Sequence, residues 1–149
     1  GLGDVYKRQR IVETEAYFDE KDPASRACKN GDLRKVMMES GGKILVYGVH
    51  NNWLINFVTG KKGRAEAVLL RALEPINFSA SCKGPGLLTK SLKIGKEFHG
   101  KSILNNDRIW LEDGRIEKGI VRAFRIGVRK DLPKKLRFYI KDNEHVSKK

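Results

Sequence analysis

The sequence predicts a single α+β domain built on a mainly antiparallel, curved β-sheet with a few flanking helices. Three observations lead to this fold class. A chain of 149 residues has the usual size of one domain. Segments with strand-like alternation outnumber helical ones. Few neighbouring strands are separated by a convincing crossover helix, which parallel pairing would require.

Composition and charge limit the classes of protein to which this chain can belong. Hydrophobic residues at 40% and charged residues at 33% are typical of soluble globular proteins. No apolar run approaches the ~20 residues of a membrane helix, so we expect no membrane partner. The net charge of +13 favours a polyanionic partner, with solubility alone as the alternative. Residues 1–75 hold thirteen basic and ten acidic side chains, whereas residues 76–149 hold eighteen and eight. The second half is therefore expected to present the basic face.

Cysteine and histidine usage argues against a metal site. Cys28 and Cys82 match neither a disulfide scaffold nor a Cys-x-x-Cys motif, and they predict free thiols in a reducing compartment. The three histidines are too widely spaced for the ligand patterns of zinc. We expect no metal.

The segment Arg10–Tyr17 predicts the first strand, with Ile11, Glu13, Glu15 and Tyr17 on one face. Two carboxylates on a strand face are most often surface groups. Glu15, however, has mainly apolar neighbours, and partial burial there is a setting that suits a general base.

Two further segments, Lys43–Val49 and Trp53–Thr59, predict strands joined around His50-Asn51-Asn52, a turn-forming stretch. This hairpin would place Tyr47 near its bend. In a basic protein such a tyrosine suits a wedge between bases, with a core tyrosine as the alternative.

A charge lies inside the apolar run Ala65–Leu73, which predicts a buried strand or, alternatively, a short core helix. Arg71 would be expensive to bury unpaired, so it requires an acidic partner. Glu15 is the partner that we predict.

The remaining segments complete the sheet and its surroundings. The turn Gly84-Pro85-Gly86 predicts the start of a helix whose free N–H groups suit a phosphate, although glycine-rich turns are common. Residues 19–32 predict a loop with at most one helical turn. Three later strands are predicted, at Arg108–Glu112, Ala123–Val128 and Leu136–Ile140.

Six motifs occur together and in order: Arg10-Ile-Val-Glu-Thr-Glu-Ala-Tyr17, Val46-Tyr-Gly48 with Asn56 downstream, Val68-Leu-Leu-Arg-Ala-Leu-Glu-Pro75, Gly84-Pro-Gly-Leu87, Arg125-Ile-Gly-Val128 and Leu136-Arg-Phe-Tyr139. Together they resemble the alkyladenine (3-methyladenine) DNA glycosylase family from about residue 10 to residue 139. The resemblance implies a monofunctional glycosylase without metal or nucleotide cofactor. Its substrate would be double-stranded DNA containing damaged purines, alkylated or deaminated, such as 3-methyladenine. We expect a monomer in the cytoplasm, associated with the nucleoid if the source is prokaryotic.

The resemblance also implies roles at the reacting bond. Glu15 would be the general base that deprotonates water, and Arg71 would help to hold that water. The carbonyl of Ile126 would be a further ligand of the water. Tyr17 would stack on the flipped base, whose release is easiest when alkylation makes it cationic. No lysine nucleophile is apparent near Glu15, so no Schiff base is expected.

Further positions match the family's DNA contacts. Asn56 would lie at the edge of the base pocket and reject some normal purines. Tyr47 would enter the minor groove and fill the space that the extruded nucleotide leaves. Gly84 and Gly86 are the candidates for contact with the DNA backbone.

The chain departs from the family pattern at three points. Arg26 stands in the base pocket where many members have a histidine that hydrogen-bonds the flipped base. Ile44 stands where the family often has a second pocket aromatic. The spacing from Tyr47 to Asn56 is two residues longer than in the vertebrate members.

The amino terminus forms a separate expectation. Asp4–Gln9 resembles the translation of a transposon-end adapter, so residues 1–9 are predicted to be a non-native leader. Residues 10–149 would then be a glycosylase domain without its first elements. In that case the Arg10–Tyr17 strand would lack a pairing neighbour and form an exposed edge.

Two other hypotheses fit the same sequence. Charge and aromatic residues alone would equally support a nucleic-acid-binding domain without catalysis. A third hypothesis is a remnant of an enzyme that does not fold alone.

Overall fold

The computed structural model describes residues 6–115 and 117–148. Within these ranges one six-stranded sheet, in the order β2-β3-β4-β1-β6-β5, pairs antiparallel throughout. The elements are β1 Gln9–Tyr17, α1 Asp32–Met37, β2 Ile44–Val49, β3 Asn52–Val58, β4 Ala67–Pro75, α2 Pro85–Leu92, β5 Ile120–Ala123 and β6 Arg137–Ile140, with short 3-10 turns at Arg26–Cys28 and Lys96–Phe98. The predicted single-domain α+β class is confirmed.

Strand β1 lies inside the sheet, between β4 and β6. The expectation that this strand forms an exposed edge is wrong, because two strands from later in the chain cover both of its sides. The strand also begins one residue earlier than expected, at Gln9, which pairs with Pro75.

An irregularity interrupts the pairing of β1 with β4. The register advances from Ile11↔Leu73 to Glu13↔Ala72 and then to Thr14↔Leu70, so that Val12 and Arg71 have no partner in the ladder. Such a bulge bends a strand and re-aims its side chains. The predicted alternation therefore fails at Ile11, which is exposed, while Glu13, Glu15 and Tyr17 are buried as one set.

The hairpin of β2 and β3 is confirmed. Its two turn residues, His50 and Asn51, both have positive φ, at 49° and 64°. Two-residue turns of this kind match the twist of the flanking strands, and asparagine tolerates the left-handed conformation they need.

Some of the other predicted elements are confirmed, and others are not. Strand β4, the start of α2 and strand β6 lie within two residues of their predicted positions. Residues 108–112 form no strand; instead, Trp110 donates from its indole to Glu112 and Arg108 stacks on Phe98. Helix α1 was not predicted.

The strand expected at Ala123–Val128 is also wrong, because β5 ends where that segment begins. The groups that would have extended the strand bond elsewhere. The Ile126 N–H donates to Glu15, and the Arg125 side chain bonds to the backbone of Ala16. Gly127 then takes a positive φ of 72°, which turns the chain.

The sheet separates two hydrophobic clusters. One contains α2 and includes Ile44, Val46, Ile55, Phe57, Leu70 and Leu88. The other lies on the side of α1 and includes Tyr17, Ala27, Met37, Leu45, Val58 and Leu69. Neither helix of the described ranges is long and apolar enough to cross a membrane.

Candidate active site

The buried carboxylate of Glu15 lies at the middle of the sheet. Leu69 pairs with Asn56 on one side and with Glu15 on the other, so the three side chains share the face covered by α1. Glu15 has no exposed surface. Its Oε1 accepts a hydrogen bond of 2.8 Å from the Tyr17 hydroxyl, and its Oε2 accepts one of 2.7 Å from the Ile126 N–H. Both oxygens thus act as acceptors, as those of an ionised carboxylate do.

Arg71 lies beside Glu15, as the sequence predicts. Its Nη1 is 3.5 Å from Oε1 of Glu15, and its Nε is 3.4 Å from Oε2 of Glu13. The bulge in β4 sets this position, since Arg71 is the residue that the ladder skips. The Nε atom is buried and has no hydrogen-bond partner among the described residues. Glu13 therefore contacts this Nε as an ion pair without a well-formed hydrogen bond.

Glu13 anchors Arg71 from the other side. Its Oε2 also accepts a 2.9 Å hydrogen bond from Arg137, and its Oε1 accepts bonds from the backbone and hydroxyl of Ser147. The second carboxylate of the predicted pair is thus structural. It ties Arg71 to β6 and to the carboxyl-terminal segment.

Tyr17 joins Glu15 to a second cation. Its ring lies 4.5 Å from the guanidinium carbon of Arg125, while its hydroxyl donates to Glu15. Burial and the adjacent Glu15 charge raise the pKa of Tyr17 far above its usual value. The hydroxyl therefore stays protonated and remains a donor at every working pH.

Sequence reasoning missed the network that holds Arg125. The Arg125 guanidinium makes two 2.7 Å hydrogen bonds to Asp22 and further bonds to Asp131, and its side chain has no exposed surface. Asp22 also accepts from the Phe18 and Ala24 N–H groups. Burial would raise the pKa of Asp22, but Arg125 and these donors lower it. A signal was present: like Arg71, Arg125 is a charge in an apolar stretch.

Arg26 and Tyr47 form the outer layer of the site. Ser25 caps the 3-10 turn by accepting from the Ala27 N–H, which places the Arg26 guanidinium carbon 4.5 Å from the centre of the Tyr47 ring. Tyr47 is half-buried, and Arg26 is exposed. Burial raises the pKa of Tyr47, while Arg26 and Asn56 oppose the rise.

Tyr47 faces the same side of the sheet as Glu15, whereas Ile44 packs on the opposite side with α2. The second aromatic of the cluster is therefore Tyr47. The intercalating role of Tyr47 stays a prediction. Asn56 is buried and donates from Nδ2 to the Leu45 carbonyl at 3.2 Å.

Gly84 and Gly86 lie apart from this cluster, at the amino terminus of α2. A side chain at Gly86 would come within 2.8 Å of Asn52, so glycine allows the helix to approach the hairpin closely. Thr89 of the same helix donates to the Trp53 carbonyl at 2.6 Å. The contact with the DNA backbone stays a prediction.

The structure thus brings together most of the predicted site residues: Glu15, Tyr17, Arg26, Tyr47, Asn56, Arg71 and Ile126. The geometry shows the N–H of Ile126 bound to Glu15, and the role of its carbonyl stays a prediction. Among residues 6–115 and 117–148, no group of three or more His, Cys, Asp or Glu side chains converges to hold a metal ion.

Comparison with known proteins adds an independent finding. Residues 3–144 match the family model described as "Methylpurine-DNA glycosylase (MPG)". A protein of Aeropyrum pernix is 38% identical over 95% of this chain and 77% of its own length. One of Legionella pneumophila is 40% identical over 93% and 80%, and one of Carboxydothermus hydrogenoformans is 39% identical over 94% and 82%. All three carry the name "Putative 3-methyladenine DNA glycosylase".

Proposed function

Because this chain belongs to the methylpurine-DNA glycosylase family, we propose that it is a DNA glycosylase that hydrolyses the N-glycosidic bond of damaged purines. The substrate is duplex DNA from which the damaged nucleotide is flipped, since a stacked and paired base hides the bond. The observation that carries the proposal is the position of Glu15. It is an entirely buried carboxylate held between a cation and two hydrogen-bond donors, next to an aromatic ring.

The chemistry requires one water molecule and one base. Glu15 takes a proton from the water, whose oxygen attacks C1′ of the sugar. The bond from C1′ to the purine nitrogen breaks, and its electron pair leaves with the purine. Arg71 supports this step because its Nη1 lies 3.5 Å from Oε1 of Glu15, where its charge helps to hold a water molecule beside that carboxylate.

The groups around Glu15 suit a purine ring. Tyr17 supplies an aromatic ring, and the Arg125 guanidinium packs against that ring. The hydrogen bond from Tyr17 to Glu15 sets the stacking surface and the general base at a constant separation, and small errors in that separation would reduce the rate strongly. Asn56 lies one strand beyond Leu69 and reaches the same face.

Glu15→Gln tests the proposal. General-base catalysis contributes at least about 100-fold, so we expect single-turnover base release to fall by at least that factor. The measurement uses a duplex with one alkylated or deaminated purine. Affinity for the duplex should stay within about twofold, because phosphate contacts supply most of the binding free energy.

The matched control is Glu20→Gln, which removes a half-exposed carboxylate that pairs only loosely with Arg34 at 3.7 Å. This variant should release base at the wild-type rate. Unchanged release by Glu15→Gln would remove Glu15 from the mechanism. Duplex binding without base release by the wild-type protein would instead favour a binding domain without catalysis.

A further inference from the structure

The positive charge of Arg26 distinguishes the outer layer of the site from its interior. Three other guanidiniums of the cluster each lie within 4 Å of a carboxylate, namely those of Arg71, Arg125 and Arg137. Arg26 forms no ion pair with any residue in the ranges 6–115 and 117–148; its guanidinium stacks on the Tyr47 ring instead. Arg26 therefore presents an uncompensated cation on the exposed side of the cluster.

The balance of charge at the site depends on this residue. Four carboxylates line the cluster, those of Glu13, Glu15, Asp22 and Asp131, against the three paired guanidiniums. Without Arg26 the cluster would hold one surplus negative charge, which attracts a cationic base. With Arg26 that surplus is cancelled.

We propose that Arg26 determines base specificity by its charge, favouring neutral purines over purines made cationic by alkylation. This inference rests on the proposed function of the same site. A neutral purine, such as a deaminated one, leaves with the electron pair of the broken bond and becomes negative, so a nearby guanidinium stabilises its departure. A cationic purine leaves neutral, so the guanidinium repels it mainly before the bond breaks.

These two effects separate kinetically. For a neutral base, loss of the Arg26 charge should lower the maximal excision rate, since the affected interaction strengthens in the transition state. For a cationic base the same change should lower the enzyme concentration needed for half-maximal rate, because repulsion of the bound substrate disappears. If Arg26 had only a structural role, its replacement would lower the excision rates of both bases by a similar factor.

The experiment compares Arg26→Gln, which removes the charge at similar length, with Arg26→Lys, which keeps it. Single-turnover rates are measured against enzyme concentration on duplexes carrying hypoxanthine, which is neutral, or 7-methylguanine, which is cationic. We expect Arg26→Gln to change the ratio of the two specificity constants about fivefold in favour of 7-methylguanine. This is the size expected for unit charges a few ångströms apart in water.

Arg26→Lys should keep most of the wild-type ratio, and Arg34→Gln, which removes another arginine outside the cluster, should keep all of it. An unchanged ratio in Arg26→Gln, or an equal change in Arg26→Gln and Arg26→Lys, would overturn the charge argument while leaving the glycosylase proposal intact. Release of neither base by the wild-type protein would instead overturn the proposed function.

Discussion

The Tyr17 hydroxyl donates a hydrogen bond of 2.8 Å to Oε1 of Glu15, two residues earlier on the same strand. Residues two apart on a strand project to one face, so β1 alone supplies the aromatic surface and the carboxylate of the candidate site. Strand β4 pairs with both residues, and β6 pairs with Glu15 on the other side, so the sheet fixes the backbone of this pair.

Tyr17→Phe isolates the hydrogen bond from the ring. The variant keeps the aromatic face and its contact with Arg125 but leaves Glu15 without one donor. A hydrogen bond to a charged group contributes about 2 kcal/mol, and we expect base release to fall about thirtyfold at unchanged duplex affinity. The control is Tyr6→Phe, at an exposed tyrosine outside the cluster. Wild-type release by Tyr17→Phe would show that the hydroxyl does not position Glu15.

Tyr47→Ala distinguishes two roles of this tyrosine. If Tyr47 only packs beside Arg26, its loss should affect release from duplex and single-stranded DNA by the same factor. The intercalating role that the family resemblance implies predicts a loss on the duplex alone, because a single strand has no stack to disrupt. Parallel single-turnover assays on the two substrates separate the roles.

Asp22→Asn should destabilise the protein by about 3 kcal/mol at neutral pH, because it breaks a buried ion pair. Among the described residues, Asp131 would then be the one carboxylate that still pairs with Arg125. Since the pKa of Asp22 is lowered in the folded state, its charge stabilises the fold above the unfolded value near 3.8. This contribution is lost as the pH falls through the lower, folded pKa.

The measurement for Asp22→Asn is denaturant unfolding of both proteins at pH 7 and at pH 3. The difference in unfolding free energy should be largest at pH 7 and smaller at pH 3. A difference that grows as the pH falls would contradict the assignment of Asp22 as the ionised partner of Arg125.

Binding to duplex DNA should weaken steeply with salt. The net charge of +13 lies mostly in the second half of the chain, and each phosphate contact contributes a log–log slope of about −0.9. A titration between low and physiological salt measures the slope. A slope near zero would mean that the charge serves solubility alone.

Several features followed from the sequence by itself because they depend on neighbouring residues or on composition. Alternation indicated β1, β2, β3 and β6, and the His50-Asn51 pair indicated the turn of the hairpin. The need to compensate a buried charge predicted that Arg71 pairs with Glu15, without any knowledge of strand order. The family resemblance then identified the candidate site residues, although it did not indicate which of them are in contact.

Other features depend on distant segments and were decided only by the tertiary structure. The bulge that aims Arg71 arises from the register of β1 against β4, about sixty residues apart, and no periodicity within one strand reports a register. The contact of Arg125 with Tyr17 forms across more than a hundred residues. Residues 108–112 alternate like a strand in the sequence, but in the fold their side chains form other contacts and the segment pairs with no strand. The positions of Arg26 and Tyr47 at the site depend on how α1 and its preceding turn pack against the sheet, and packing is a property of surfaces that the chain forms only once folded.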